Sequence, residues 1–104
     1  QSMSILHTVN KSPFERDSLD SCLKFTQDGA SLLLLEDGVY AALSGTSVEA
    51  KVKGALDRVK VYVLGPDLKA RGFGEDRIIS GVGVVDYAGF VDLAAEHAKV
   101  QAWL

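Results

Sequence analysis

Three residues in this 104-residue chain are the first candidates for chemistry: one cysteine, Cys22, and two histidines, His7 and His97. A single thiol cannot close an internal disulfide, so Cys22 is either a reactive sulfur or a small buried hydrophobe. A reactive thiolate calls for a helix N-terminus or a neighbouring cation. The residues three and four positions away are Ser18, Leu19, Phe25 and Thr26, none of them basic, and the helix that would carry Cys22 starts too early for its first turn to include it. Local residues therefore favour packing and leave a functional thiol open. A zinc site needs three or four converging thiolate, imidazole or carboxylate ligands, which one cysteine and two well-separated histidines do not suggest. His7, near the end of the first apolar stretch, is the better placed histidine; His97 reads as a partly buried residue near a helix C-terminus. No G-x-S-x-G elbow supports a serine hydrolase. No G-x-G-x-x-G or Walker-type loop follows a strand, and Gly65-Pro66-Asp67 puts a carboxylate where a phosphate would want donors.

The elements that must position these residues follow from periodicity. Met3–Val9 is long enough for a strand and too short for a helix before the turn signals Asn10 and Pro13. Ser12-Pro13-Phe14-Glu15 matches a capping box with proline at the first helical position, and Asp17 offers a competing cap. The helix carries Leu19, Cys22, Leu23 and Phe25, and ends near Gln27 with Gly29 as its stop. Ala30–Leu35, including the run Leu32–Leu35, shows no alternation and reads as a central strand covered on both faces. Val39–Leu43 predicts a short helix capped by Asp37, and Val48, Val52, Ala55 and Leu56 recur at helical spacing across Ser47–Asp57. Val59–Leu64 predicts a third strand. Pro66 opens a short helix closed by Gly72, and Gly81–Val85 gives a fourth strand. Asp86 is placed to cap a helix with Phe90, Leu93, Ala94 and His97 on one face, ending by about Lys99; Val100–Leu104 adds an edge strand anchored by Trp103.

This order predicts one doubly wound α/β domain over residues 3–104, a mostly parallel five-stranded sheet with helices on both faces. Gln1 and Ser2 read as additions ahead of a natural start near Met3. Function in such sheets gathers at the carboxyl ends of the strands, in the loops around His7–Asn10, Glu36–Gly38, Gly65–Asp67 and Asp86–Tyr87. The net charge of −3, without a Lys/Arg cluster, argues against direct nucleic-acid binding. No apolar stretch has the length of a bilayer span and no signal-type core opens the chain, so a cytoplasmic protein with no membrane partner is expected. Tyr40, Tyr62, Tyr87 and Trp103 could anchor an interface, with core packing the plainer role for each.

Five stretches, LHTVNKSPF (Leu6–Phe14), LLLLEDGVYAAL (Leu32–Leu43), VYVLGPDLKARG (Val61–Gly72), VVDYAGFVDL (Val84–Leu93) and QAW (Gln101–Trp103), resemble the DsrH/TusB family in that order and span almost the whole chain. Within it the chain is closer to the DsrH branch, because the TusB branch commonly has an aliphatic residue where Cys22 stands. The resemblance implies a DsrE-like fold and a cytoplasmic heterohexamer with DsrE-like and DsrF-like subunits. It implies a sulfurtransferase relay in which persulfide sulfur passes between cysteines toward a DsrC-type acceptor during sulfur oxidation, with no cofactor and no metal. A TusB-like role in tRNA 2-thiouridine synthesis is the alternative. The resemblance also places the principal acceptor cysteine on the DsrE-type partner, so this chain is expected to be a persulfide carrier through Cys22 or a structural subunit. If Cys22 carries sulfur, His7 and Lys11 are the residues placed to support its thiolate.

Overall fold

The computed structural model describes residues 5–12, 18–26, 29–97 and 99–103. Strands β1 (Ile5–Val9), β2 (Ser31–Leu34), β3 (Lys60–Leu64), β4 (Gly83–Val85) and β5 (Lys99–Trp103) form one sheet in the order β4-β3-β2-β1-β5, and every pairing is parallel. The unalternating run at β2 thus occupies the centre of the sheet, and all four of its residues are buried. The last crossover carries the chain from one edge of the sheet to the other, so that β5 lies against β1 with Val9 opposite Trp103.

Helices α1 (Ser18–Phe25), α2 (Glu49–Ala55) and α3 (Gly65–Ala70), with a 3-10 segment at Glu36–Ala42, precede α4 (Tyr87–Glu96). Strand side chains alternate between faces. Val9, Leu32, Leu34, Val61 and Val63 meet Leu19, Cys22, Leu23, Val52 and Leu68 in the larger core. Leu6 and Leu33 on the other face meet Leu93, with Phe90 and Ala94 packed against them. Both faces are covered, one by three helices and the 3-10 segment, the other by α4.

Several local expectations hold. Asp86 Oδ1 accepts from the Gly89 N–H at 2.8 Å and caps α4, Pro66 lies in the first turn of α3, and Gly29 and Gly72 have φ of 87° and 83° after their helices. Others are corrected. Asp37 is not the cap: it lies inside the 3-10 segment, whose cap position is Leu35, without a side-chain cap, and its carboxylate is taken by Arg71. The predicted Ser47–Asp57 helix is confined to Glu49–Ala55. β4 starts at Gly83, since Gly81 has φ 101° and turns the chain against Leu56. α4 stops at Glu96, because His97 takes extended backbone and Lys99 already pairs with Ile5 in β5. Of the predicted first-helix caps, Pro13–Asp17 lie outside the described residues, as does the helix end proposed at Gln27.

Candidate functional site

Leu19, Cys22 and Leu23 follow one another at three- and one-residue steps, which places all three on the face of α1 that packs on the sheet. Cys22 is 0% exposed. Its Sγ lies 3.5 Å from Thr26 Oγ1, and the Thr26 hydroxyl donates to the Cys22 carbonyl one turn back. Burial pushes the Cys22 thiol pKa up, and the contact with Thr26 opposes this only in part. The sulfur is held as a thiol, not as the thiolate that attacks a disulfide or persulfide.

His7 is 3% exposed within β1, on the face it shares with Val9. The register that sets Val9 opposite Trp103 brings the indole over the imidazole: Trp103 Nε1 donates to His7 Nδ1 at 3.0 Å, with ring centroids 6.1 Å apart. Accepting at Nδ1 fixes the neutral ring with its proton on Nε2, and burial lowers the pKa in the same direction. A neutral imidazole supplies no charge to a thiolate. Lys11 is half-buried two residues beyond β1. Cys22 is bonded to Thr26 and His7 to Trp103, and among the described residues no hydrogen bond joins the two. His97, on the opposite face, links α4 to β2 through Nδ1 to the Leu93 carbonyl (2.6 Å) and Nε2 to Ser31 Oγ (2.9 Å).

The strand-end loops do come together. Asp67 Oδ2 accepts from the Glu36 N–H at 2.6 Å, and Tyr87 Oη approaches Asp67 Oδ1 at 3.4 Å. Arg71 donates through Nε and Nη2 to Asp37 Oδ1 (3.1 and 2.9 Å) and through Nη1 to the Asp67 carbonyl (3.1 Å). This network ties the ends of β2, β3 and β4, and it holds Glu36 at φ 49°. Arg71 was missed because its partner stands 34 positions away; the only sequence signal is a basic residue closing α3. Beside the network lies an open depression of about 500 Å³ lined by Gly65, Pro66, Glu75, Val85, Asp86 and Gly89. Its two carboxylates make it a poor seat for phosphate. Among the described residues, no three of His, Cys, Asp and Glu gather to hold a metal ion.

The family model described as "DsrH like protein" matches residues 11–100. The chain is also 41% identical to Protein TusB of Pectobacterium parmentieri over 99 residues, covering 95% of this chain and 100% of that protein. This chain belongs to the DsrH/TusB family. Protein TusB of Escherichia coli O1:K1 is 38% identical over the same coverage. Among solved structures, the ychN protein from E. coli superposes on this DsrH/TusB chain with a TM-score of 0.81 at 19% identity, covering 96% of this chain and 98% of that one. A protein of unknown function from Methanobacterium thermoautotrophicum superposes with a TM-score of 0.71 at 14% identity, covering 93% and 98%. Both likenesses are of fold.

On this DsrH/TusB fold the aromatic residues divide. Tyr40 packs edge-on against Phe73, Tyr62 packs with the α4 core, and Trp103 covers His7. Tyr87 is 59% exposed and Val91, one turn further along α4, 65%. No helix among the described residues is long and apolar enough to cross a membrane.

Proposed function

We propose that this chain is a non-carrying assembly subunit of a sulfur-relay complex, working beside DsrE-like and DsrF-like subunits in a cytoplasmic heterohexamer. A relay needs a thiolate that attacks the outer sulfur of a donor persulfide and then offers its own terminal sulfur to the next thiolate. The burial of Cys22 supports assigning that step to the DsrE-type partner: its thiol lies in the core, its pKa is raised, and neutral His7 is bonded elsewhere. The same burial gives a physical account of the family's variation. In a closed core position, a thiol and an aliphatic side chain fill space alike, so Cys22 does not by itself assign the chain to the DsrH branch. Exposed Tyr87, Val91, Val84 and Val100 supply apolar surface suited to association.

The test is co-expression with the DsrE-like and DsrF-like subunits, loading with a persulfide donor, and intact-mass measurement of each chain. Sulfur on the DsrE-type subunit alone, with transfer intact in Cys22→Ala, is expected. An adduct of one sulfur atom on this chain that Cys22→Ala abolishes would assign the carrier role to Cys22 instead.

The relatives named TusB favour a second reading, of destination: tRNA 2-thiouridine synthesis in place of sulfur oxidation through a DsrC-type acceptor. Restoration of 2-thiouridine when this chain and its partners replace the TusB system of E. coli would support it. Failure there, with persulfide transfer to a DsrC-type protein intact, would point to oxidation.

A further inference from the structure

Arg58 lies in the turn between α2 and β3, where its backbone N–H bonds the Ala55 carbonyl (3.0 Å) and its own carbonyl accepts from Gly29 N–H (2.8 Å). Its side chain reaches back to the end of α1. Nη1 donates to the Thr26 carbonyl at 2.6 Å and Nη2 to the Leu23 carbonyl at 2.7 Å. The last four carbonyls of an α-helix lack intrahelical donors. A planar guanidinium satisfies two of them here and sets a positive charge at the negative end of the helix dipole. The residues it grips flank the cysteine's own contacts: Leu23 follows Cys22 directly, and Thr26 is the residue whose hydroxyl bonds the Cys22 carbonyl and approaches its sulfur. The turn that Arg58 holds at its carbonyls is therefore the turn that closes over the thiol.

We propose that Arg58 is a latch on the C-terminal turn of α1, and that release of this latch, with the sheet still folded, is the route by which a thiol-reactive molecule reaches Cys22. The helical state of a segment in water depends on packing and on the satisfaction of its ends, and Arg58 satisfies the C-terminal end of α1. The ladders joining β1, β2 and β3 involve none of the bonds that Arg58 makes to α1. Local opening of the turn thus costs less than global unfolding. Arg58 is a positioning residue for the thiol, and the latch holds whichever subunit carries sulfur.

The rate at which iodoacetamide alkylates Cys22 in the full chain, followed by intact mass across a urea series below the unfolding transition, tests this against global stability measured by circular dichroism. The latch predicts that wild-type alkylation at low urea exceeds what global unfolding allows and barely responds to urea. Arg58→Gln raises this urea-insensitive rate by on the order of tenfold or more, the effect expected for losing two charge-assisted hydrogen bonds. Arg58→Lys, which keeps the charge and loses the fork, falls between them. Arg71→Gln, which removes a guanidinium remote from α1, leaves the low-urea rate unchanged. Alkylation that follows the full urea dependence of global unfolding in the wild type, or an Arg58→Gln or Arg58→Lys protein that is folded and labels no faster than wild type, overturns the proposal.

Discussion

Replacing Cys22 with serine, alanine and valine separates a packing residue from a working thiol. The sulfur is fully buried, and Thr26 Oγ1 stands 3.5 Å away with its proton already directed to the Cys22 carbonyl. A serine hydroxyl could donate to Thr26 Oγ1, from which the shorter C–O bond draws the oxygen away, or bend back to a helix carbonyl one turn earlier that already accepts an N–H, and neither gives a strong bond. Cys22→Ser therefore buries a poorly paired hydroxyl at a cost of about 1–3 kcal/mol, besides losing the burial of sulfur. Cys22→Ala loses that burial and leaves a small void, about 1–2 kcal/mol. Cys22→Val keeps an apolar side chain and should cost less than about 1.5 kcal/mol. The expected order of stability is wild type, valine, alanine, serine, with each kcal/mol shifting the Tm of a domain this size by about 4–8 °C. Urea unfolding read by circular dichroism gives the order directly. A serine variant as stable as wild type, with alanine and valine both worse, would mean that the thiol sits among polar or hydrated groups, and the packing assignment would fall.

The space beside two glycines and the burial of His7 give three further outcomes. A Cβ on Gly38 would lie 2.1 Å from the Val9 carbonyl oxygen and 2.9 Å from its carbon, backbone against backbone, so Gly38→Ala should cost about 3 kcal/mol or more in urea unfolding. Gly54→Ala, whose Cβ meets nothing within 4 Å inside α2, should instead stabilise by about 0.5–1 kcal/mol, and equal effects at the two glycines would contradict the geometry. His7 has a folded pKa below its unfolded value, so the unfolded chain takes up this proton first. The stability this contributes is fully present above the unfolded pKa, near 6.5, and is lost as pH falls from there toward the folded pKa, by at most about 1.4 kcal/mol per pH unit. Urea midpoints measured from pH 7.5 down to 5 should show that loss in the wild type and a shallower one in His7→Leu; an unchanged slope in the variant would assign the effect to other groups.

Much of what was legible in the sequence rested on signals that act over one or two turns. The buried run at β2, the Asp86 cap, proline in the first turn of α3 and the left-handed glycines Gly29 and Gly72 all depend on neighbours in the chain. Those local signals failed at element bounds, as at Ser47–Asp57 and Gly81, and where a distant group competed for the same atom. Asp37-Gly38 reads as a cap and turn, but Arg71 takes the carboxylate, while the close approach of Gly38 to Val9 sets how the segment leaves the sheet. The helix pattern through His97 breaks at the end of α4, where the ring bonds both the Leu93 carbonyl and Ser31 across the core and the backbone turns extended into β5.

The same distinction explains the candidate site. The Leu19, Cys22, Leu23 spacing favours a core-facing thiol, and the lack of a basic residue three or four positions from it is plain in the sequence; the guanidinium of Arg58, 35 positions from Leu23, is not. His7 required knowing where the last strand lands. Had β5 extended the sheet beyond β4, Trp103 would lie far from β1. By returning beside β1 with Val9 opposite Trp103, the strand places an N–H donor on His7 Nδ1 across 96 positions. That bond and the surrounding burial both favour the uncharged ring, removing the cation His7 would have to provide for a Cys22 thiolate. On the latch proposed above, activation of Cys22 begins with the opening of α1 and not with His7, which puts Arg58 ahead of any acid–base step at the thiol.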